Sequence, residues 1–180
     1  KSTLITAVSA ARPKVADYPF TTLYPNLGVV RIDVERSFVI ADIPGLIEGA
    51  AEGTGLGIQF LKHLQRTRLL LHLVDLAPLA LDVDPVAQVR QLEEELLKFD
   101  ADLADKARWL VFTKADLMPP EEARQKAEEA VAELDWKGPW FLISSITKSG
   151  IDELMQQVSA ELERIEDEEA AAAALETSEQ

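Results

Sequence analysis

Apolar positions recur along this chain with two periods, and their alternation predicts the fold. Leu4-Ile5-Thr6-Ala7-Val8-Ser9-Ala10-Ala11 reads as a helix. Gly28-Val29-Val30-Arg31-Ile32-Asp33-Val34 alternates as a strand, Glu35-Arg36 turns the chain, and Ser37-Phe38-Val39-Ile40-Ala41 runs apolar into Asp42, so the two strands predict a hairpin. Ile58 to Arg66 has the spacing of an amphipathic helix, and Leu69 to Asp75 is the nearly continuous apolar run of a strand buried on both faces. A helix over Pro85 to Phe99, a strand over Arg108 to Phe112, a helix over Pro120 to Leu134, a strand over Pro139 to Ile143 and a closing helix from Gly150 to Ile165 follow. Strands alternating with helices at this spacing predict an α/β domain with a parallel, doubly wound sheet and helices on both faces.

Two segments break the pattern. Arg12 to Gly28 holds three prolines, Pro13, Pro19 and Pro25, and predicts a long loop that its aromatics would pack down. Gly49, Gly53, Gly55 and Gly57 fall within nine residues and predict a mobile loop.

Bulk composition narrows the class. The chain has 180 residues, 47% of them apolar, enough for one domain with its own core. It has no cysteine, which excludes disulfides and thiolate metal sites and fits a reducing cytoplasmic setting. No run of about 18 apolar residues predicts a membrane span. A net charge of -14 argues against a basic nucleic-acid footprint on this segment. Glu161 to Gln180 carries eight acids and one base, half of that charge. The expected division is therefore a globular domain over 1–165 and an acidic, Ala-rich tail over 166–180, either extending the last helix or disordered.

The candidate chemistry sits where strands end. Asp42-Ile43-Pro44-Gly45 puts a carboxylate at the C-terminal edge of a strand, the edge at which open α/β sheets bind ligands. Gly45 leaves its N–H open to close approach by a phosphate. Such a carboxylate can hold Mg2+ directly or through water. Taken alone, the tetrapeptide is an ordinary turn. Lys1-Ser2 ahead of a helix matches the end of the phosphate-binding pattern G-x-x-x-x-G-K-[ST], although any helix can start this way. Thr21 and Thr22 offer adjacent hydroxyls, one of which could reach a metal. Thr113-Lys114-Ala115-Asp116 and Ser144-Ser145-Ile146 each follow a strand on the same expected edge. His63 and His72 do not stand at metal-ligand spacing and read as structural.

The order Lys1-Ser2, Thr21-Thr22, Asp42 to Gly45, Thr113 to Asp116, Ser144 to Ile146 resembles the five motifs of the P-loop GTPases. Asp17-Tyr18-Pro19-Phe20-Thr21-Thr22-Leu23, with Pro25 and Gly28-Val29-Val30, is similar to the first switch of the Obg (CgtA) family. Asp42 to Ala50, Gly55-Leu56-Gly57 and Phe60-Leu61-Lys62-His63-Leu64 are similar to its second switch and the helix after it. The resemblance covers residues 1 to about 165 and implies a three-layer P-loop NTPase-type domain that binds GTP and GDP with Mg2+. On that resemblance Lys1 would bind phosphate, and Ser2 and Thr22 would ligate Mg2+. Phe20, Thr21, Thr22, Leu23 and Tyr24 would form the first nucleotide-contacting switch. Asp42 would hold the Mg2+ shell through water, with Ile43 and Pro44 leading to the γ-phosphate-sensing amide of Gly45. Thr113, Lys114, Ala115 and Asp116 would hold guanine, and Ser144, Ser145 and Ile146 would complete the base pocket.

Leu46 stands where Ras-like switches carry a glutamine that orients water, and leucine has no group for that task. Slow intrinsic hydrolysis is therefore expected, with no residue assigned as catalytic beyond the switch positions Thr22 and Gly45. Thr113 stands where the fourth motif usually has asparagine, and weaker nucleotide binding is expected. The first strand of the fold and its glycine loop would precede Lys1, as would the family's N-terminal glycine-rich domain, which implies that residue 1 is a cut in a longer protein. The implied role is a switch in late assembly of the large ribosomal subunit, coupled to growth and stress signalling. The N-terminal domain would make the rRNA contacts, guanosine tetraphosphate would compete for the pocket, and the protein would be a cytoplasmic monomer without membrane contact. Two other readings compete: a docking module that no longer uses nucleotide, favoured by Leu46 and Thr113, and an ATPase relative, opposed by Asp116.

Overall fold

The computed structural model describes residues 2–9, 14–15, 26–42, 64–79 and 84–178. Helix α1 spans Ser2–Val8, and strand β1 spans Lys14–Val15. Strands β2 (Asn26–Arg31) and β3 (Ser37–Asp42) form the expected antiparallel hairpin, with Val29 opposite Val39 and Asn26 opposite Asp42. The first of these strands ends three residues earlier than its alternation suggests. The Asp33 carboxylate accepts the N–H groups of Glu35 (3.0 Å) and Arg36 (2.8 Å), and Ile32 N–H bonds Arg36 C=O. Those bonds turn 32–36 into a closed loop instead of extended strand. The Arg36 guanidinium beside Asp33 holds its carboxyl below the usual range.

Strands β4 (Leu70–Asp75), β5 (Arg108–Thr113) and β6 (Trp140–Leu142) pair in parallel, in that order. Between them run helix α2 (Pro85–Phe99), the single turn α3 (Ala101–Ala104) and helix α4 (Pro120–Glu133); helix α5 spans Ile151–Ser178. The α2 boundaries follow from local chemistry. The Asp84 side chain accepts Ala87 N–H at 2.7 Å, Pro85 occupies the first turn, and Asp100 leaves the helix in extended backbone.

Strand β5 shows why the domain has three layers. Trp109 and Val111 point into one core with Leu4 of α1, Val30 of β2 and Ile151, Leu154, Met155 and Val158 of α5. Leu110 and Phe112 point the other way, onto Val86 and Val89 of α2 and Ala123, Ala127 and Ala130 of α4. A strand apolar at every inner position therefore serves two faces at once. On the first face α1 crosses β2 at Gly28, where any Cβ would strike the Ser9 hydroxyl and crowd Ile5.

The antiparallel and parallel sheets meet across a groove. Among the described residues β3 pairs with β2 and β4 with β5, and both β3 and β4 line one cavity of about 1140 Å³. Among the described residues the expected parallel pairing runs over β4, β5 and β6. Lys106 fastens the chain that leads into β4. Its ammonium donates to the carbonyls of Leu64 (3.0 Å), Gln65 (2.7 Å) and Thr67, and burial pushes its pKa down.

The closing helix runs past the expected Ile165 to Ser178, so of the two forms considered for the acidic end it takes the helical one. Alanine propensity favours continuation there. Arg68 reaches Glu166 at 2.8 Å and Glu169 at 3.1 Å, and Arg164 bonds Glu161 and Glu168. These pairs are largely open to solvent, which screens them, so they add little to stability.

Candidate functional site

Two of the five motifs come together in the described residues. Thr113 is the last residue of β5, in register with Asp75 at the end of β4. Its hydroxyl lies 3.4 Å from Val74 C=O, and its own carbonyl accepts Leu76 N–H. Lys114 follows with φ 63 and ψ 32. A left-handed conformation at a residue with a Cβ costs about 1–2 kcal/mol, so the surrounding bonds must hold it. Ala115 N–H bonds Ile143 C=O at 3.2 Å, which ties this turn to the end of β6. The turn Ala115–Leu117 then presents Asp116.

The second loop meets it there. Ser144 Oγ donates to Asp116 Oδ1 at 2.7 Å and accepts Thr147 N–H at 3.1 Å. Ser144 N–H bonds Ser149 C=O, and Ser144 itself is buried. Gly150 closes this loop at φ 73, where any Cβ would strike Leu142 C=O. Ser145 lies partly buried, and Ile146 is exposed. Ser145 and Lys148 line an open cavity of about 520 Å³ with Thr3, Thr6 and Ala7 of α1, so the first turns of α1 stand beside this loop. The result is a carboxylate with acceptor capacity left over, at the C-terminal ends of parallel strands.

The other assigned positions are placed in part or lie outside the described residues. Ser2 begins α1 and Asp42 ends β3, with their side chains outside the description. Lys1, Phe20, Thr21, Thr22, Leu23, Tyr24, Ile43, Pro44, Gly45 and Leu46 lie outside it, as do the glycine-rich segment and the expected helix before Leu64. Among the described residues no cluster of His, Cys, Asp or Glu could hold a metal. The donor set assigned to Mg2+, two hydroxyls and a carboxylate, is all oxygen and suits that hard cation.

Sequence reasoning passed over three residues around the Thr113 to Asp116 loop. Lys114 Nζ bonds Asp75 Oδ2 at 2.5 Å, Gln88 of α2 bonds the Asp75 backbone, and Lys126 of α4 donates to Leu76 C=O at 2.6 Å. The signal was present, since Asp75 ends its strand as Asp42 ends β3. No helix among the described residues is long and apolar enough to cross a membrane.

Comparison with known proteins bears on the family and the fold. A family model described as 50S ribosome-binding GTPase matches residues 1–114. The cytosolic domain of the T. maritima FeoB iron transporter in apo form superposes with a TM-score of 0.62 at 20% identity, over 89% of this chain and 58% of that one. The G domain of the T. maritima FeoB iron transporter gives a TM-score of 0.60 at 21% identity, over 88% of each chain. The cytosolic domain of L. pneumophila FeoB gives 0.60 at 17% identity, over 87% of this chain and 61% of that one. At such identities the likeness is one of fold, and the chain spans about three fifths of the longer structures.

Proposed function

The chain belongs to the family of 50S ribosome-binding GTPases, and from that premise we propose that it is the guanine-nucleotide switch domain of an Obg-type protein. Its fold is that of a P-loop GTPase domain, and its reaction class is hydrolysis of GTP to GDP and phosphate. The observation that supports the guanine reading is the bond from Ser144 to Asp116, which brings the fourth and fifth motifs into contact. Asp116 would accept the donors of guanine, and the Lys114 stem would lie along the base.

The Obg assignment rests on the sequence of the two switches, where the matches are densest. In this reading Ser2, which begins α1, would ligate Mg2+, and Asp42, which ends β3, would hold its shell through water. Mg2+ would supply charge neutralisation at the phosphates; Lys1 and the Gly45 amide would bind them. The proposed division is a GTPase domain to residue 165 and a helical acidic tail after it.

In this reading the γ-phosphate orders the segments around Thr22 and Gly45, and hydrolysis releases them. The partner is the large ribosomal subunit in late assembly, with rRNA contacts supplied by an N-terminal domain, in the cytoplasm, by a monomer. Guanosine tetraphosphate competes with GTP and GDP for the pocket. Leu46 provides no group to orient water, so hydrolysis is slow until the partner assists it. GTP turnover by the full-length protein, measured alone and with purified 50S subunits, tests this. Slow turnover that rises with added subunits is expected. Fast turnover alone, or no response to subunits, contradicts the proposal.

A further inference from the structure

The carboxylate of Asp75 stands at the end of β4, next to the Thr113 to Asp116 loop, and no assigned role uses it. Its Oδ2 receives the Lys114 ammonium at 2.5 Å, and its Oδ1 accepts Ala77 N–H at 2.8 Å. Its backbone is gripped from α2. Gln88 Oε1 accepts Asp75 N–H at 3.1 Å, and Gln88 Nε2 donates to Asp75 C=O at 3.0 Å. One amide side chain thus supplies both bonds that a neighbouring strand would give this residue. Gln88 is itself fixed, since its N–H closes the first turn of α2 on the carbonyl of the capping Asp84.

The chain immediately after Asp75 is pinned as well. Leu76 N–H bonds Thr113 C=O, and Leu76 C=O receives Lys126 from α4. Val74 and Leu76, on either side of Asp75, are fully buried. The backbone that carries this carboxylate is thus bonded from α2, α4 and β5, and the carboxylate engages a lysine whose own backbone is strained at φ 63. As a contribution to folding, an ion pair this exposed counts for little. As a contribution to site geometry it counts for more, because a flexible four-carbon stem is held straight by anchoring its end.

We propose that Asp75, clamped by Gln88, is a positioning residue of the guanine pocket: it anchors the Lys114 ammonium so that the lysine stem is already in place for the base. The proposal rests on the guanine reading of Thr113 to Asp116. It assigns specificity-supporting roles to two residues outside the five motifs. Asp75 acts through Lys114, and Gln88 acts through Asp75.

The test uses the full-length protein, fluorescent GDP with Mg2+, and the variants Asp75→Asn, Gln88→Ala and Lys114→Ala. The Asp75→Asn change keeps the shape of the side chain and an oxygen that can accept Ala77 N–H, while removing the charge that holds Lys114. It is expected to weaken GDP binding about three- to tenfold, the range for one partly exposed charge-assisted hydrogen bond. Gln88→Ala changes it in the same direction by about threefold. The discriminating result is the double variant. Asp75→Asn added to Lys114→Ala should weaken binding no further, because the residue through which it acts is gone. An effect of the same size in both backgrounds would mean a structural role and would overturn the proposal.

A second readout needs no nucleotide. Amide hydrogen exchange over 114–117 should quicken in Asp75→Asn with the melting temperature unchanged, and unchanged exchange there overturns the proposal. If the unaltered protein binds no guanine nucleotide, the guanine reading itself falls and takes this inference with it. If the unaltered protein binds GDP and Asp75→Asn binds it equally well, only the positioning role falls.

Discussion

Replacing Asp116 by alanine weakens GDP binding about a hundredfold or more and abolishes the preference for guanine over adenine. The carboxylate is exposed, and Ser144 occupies only part of its acceptor capacity, leaving lone pairs for the two donors on the guanine edge. Two charge-assisted hydrogen bonds at roughly 1.5–3 kcal/mol each give that factor at the low end. The fold survives. Ser144 Oγ keeps its bond from Thr147 N–H, and the loss of one acceptor costs about 1 kcal/mol of stability. Asp116→Asn separates the two roles. Its carbonyl can still accept from Ser144, while its NH2 group faces guanine's donors, so affinity falls as in the alanine variant and stability does not. Fluorescent-GDP titration alongside urea unfolding reads both quantities. An alanine variant that binds GDP as the parent does would remove Asp116 from the base pocket.

Phe112→Ala has the largest expected effect on stability. Phe112 is fully buried in the middle strand of the parallel sheet, with its ring 5.9 Å from that of Trp140 and nearly edge-on at 78°. Its carbonyl receives Ile143 N–H at 2.8 Å, a ladder bond that opposes a backbone shift into the hole. The facing residues of α4 are Ala123, Ala127 and Ala130, too short to swing into the space. Truncation of a phenylalanine in such a setting costs about 3–5 kcal/mol. Domains of this kind have about 5–15 kcal/mol in total, so the variant sits at the edge of folding. Phe112→Leu keeps most of the volume and costs about 1.5 kcal/mol or less. Urea midpoints with unchanged slope would report both values. A loss under about 1 kcal/mol for alanine would mean that α4 collapses onto β5.

Much of this architecture is legible in the sequence because local chemistry agrees with the pattern. The Asp84 cap, Pro85 and the apolar spacing after it fix α2 to the residue, and an apolar run closed by Asp42 fixes β3. Where a side chain competes with the ladder, the pattern misleads. The carboxylate of Asp33 ends β2 before Val34 by capturing two backbone N–H groups. A continuous apolar run cannot reveal which neighbours it serves, so the division of β5 between two cores emerges only in the fold. The acidic end of the chain admits two readings, since its composition suits helix and disorder alike; pairing with Arg68 accompanies the helical one.

The candidate site is legible in its motifs and opaque in its supports. Asp116 and Ser144 are 28 residues apart and follow separate strands; their contact arises because β5 and β6 lie side by side. Asp75 and Gln88 carry no motif. Their relation depends on where α2 crosses the end of β4, which no spacing encodes.

The central claim is that this domain recognises guanine nucleotides through the pocket at Asp116. Its most direct test is displacement of bound fluorescent GDP from the full-length protein in the presence of Mg2+, with GTP and ATP as competitors. Displacement by GTP at stoichiometric to micromolar levels, with ATP inert at millimolar, is the result predicted. Equal displacement by ATP, or no binding of the labelled GDP at all, would contradict it.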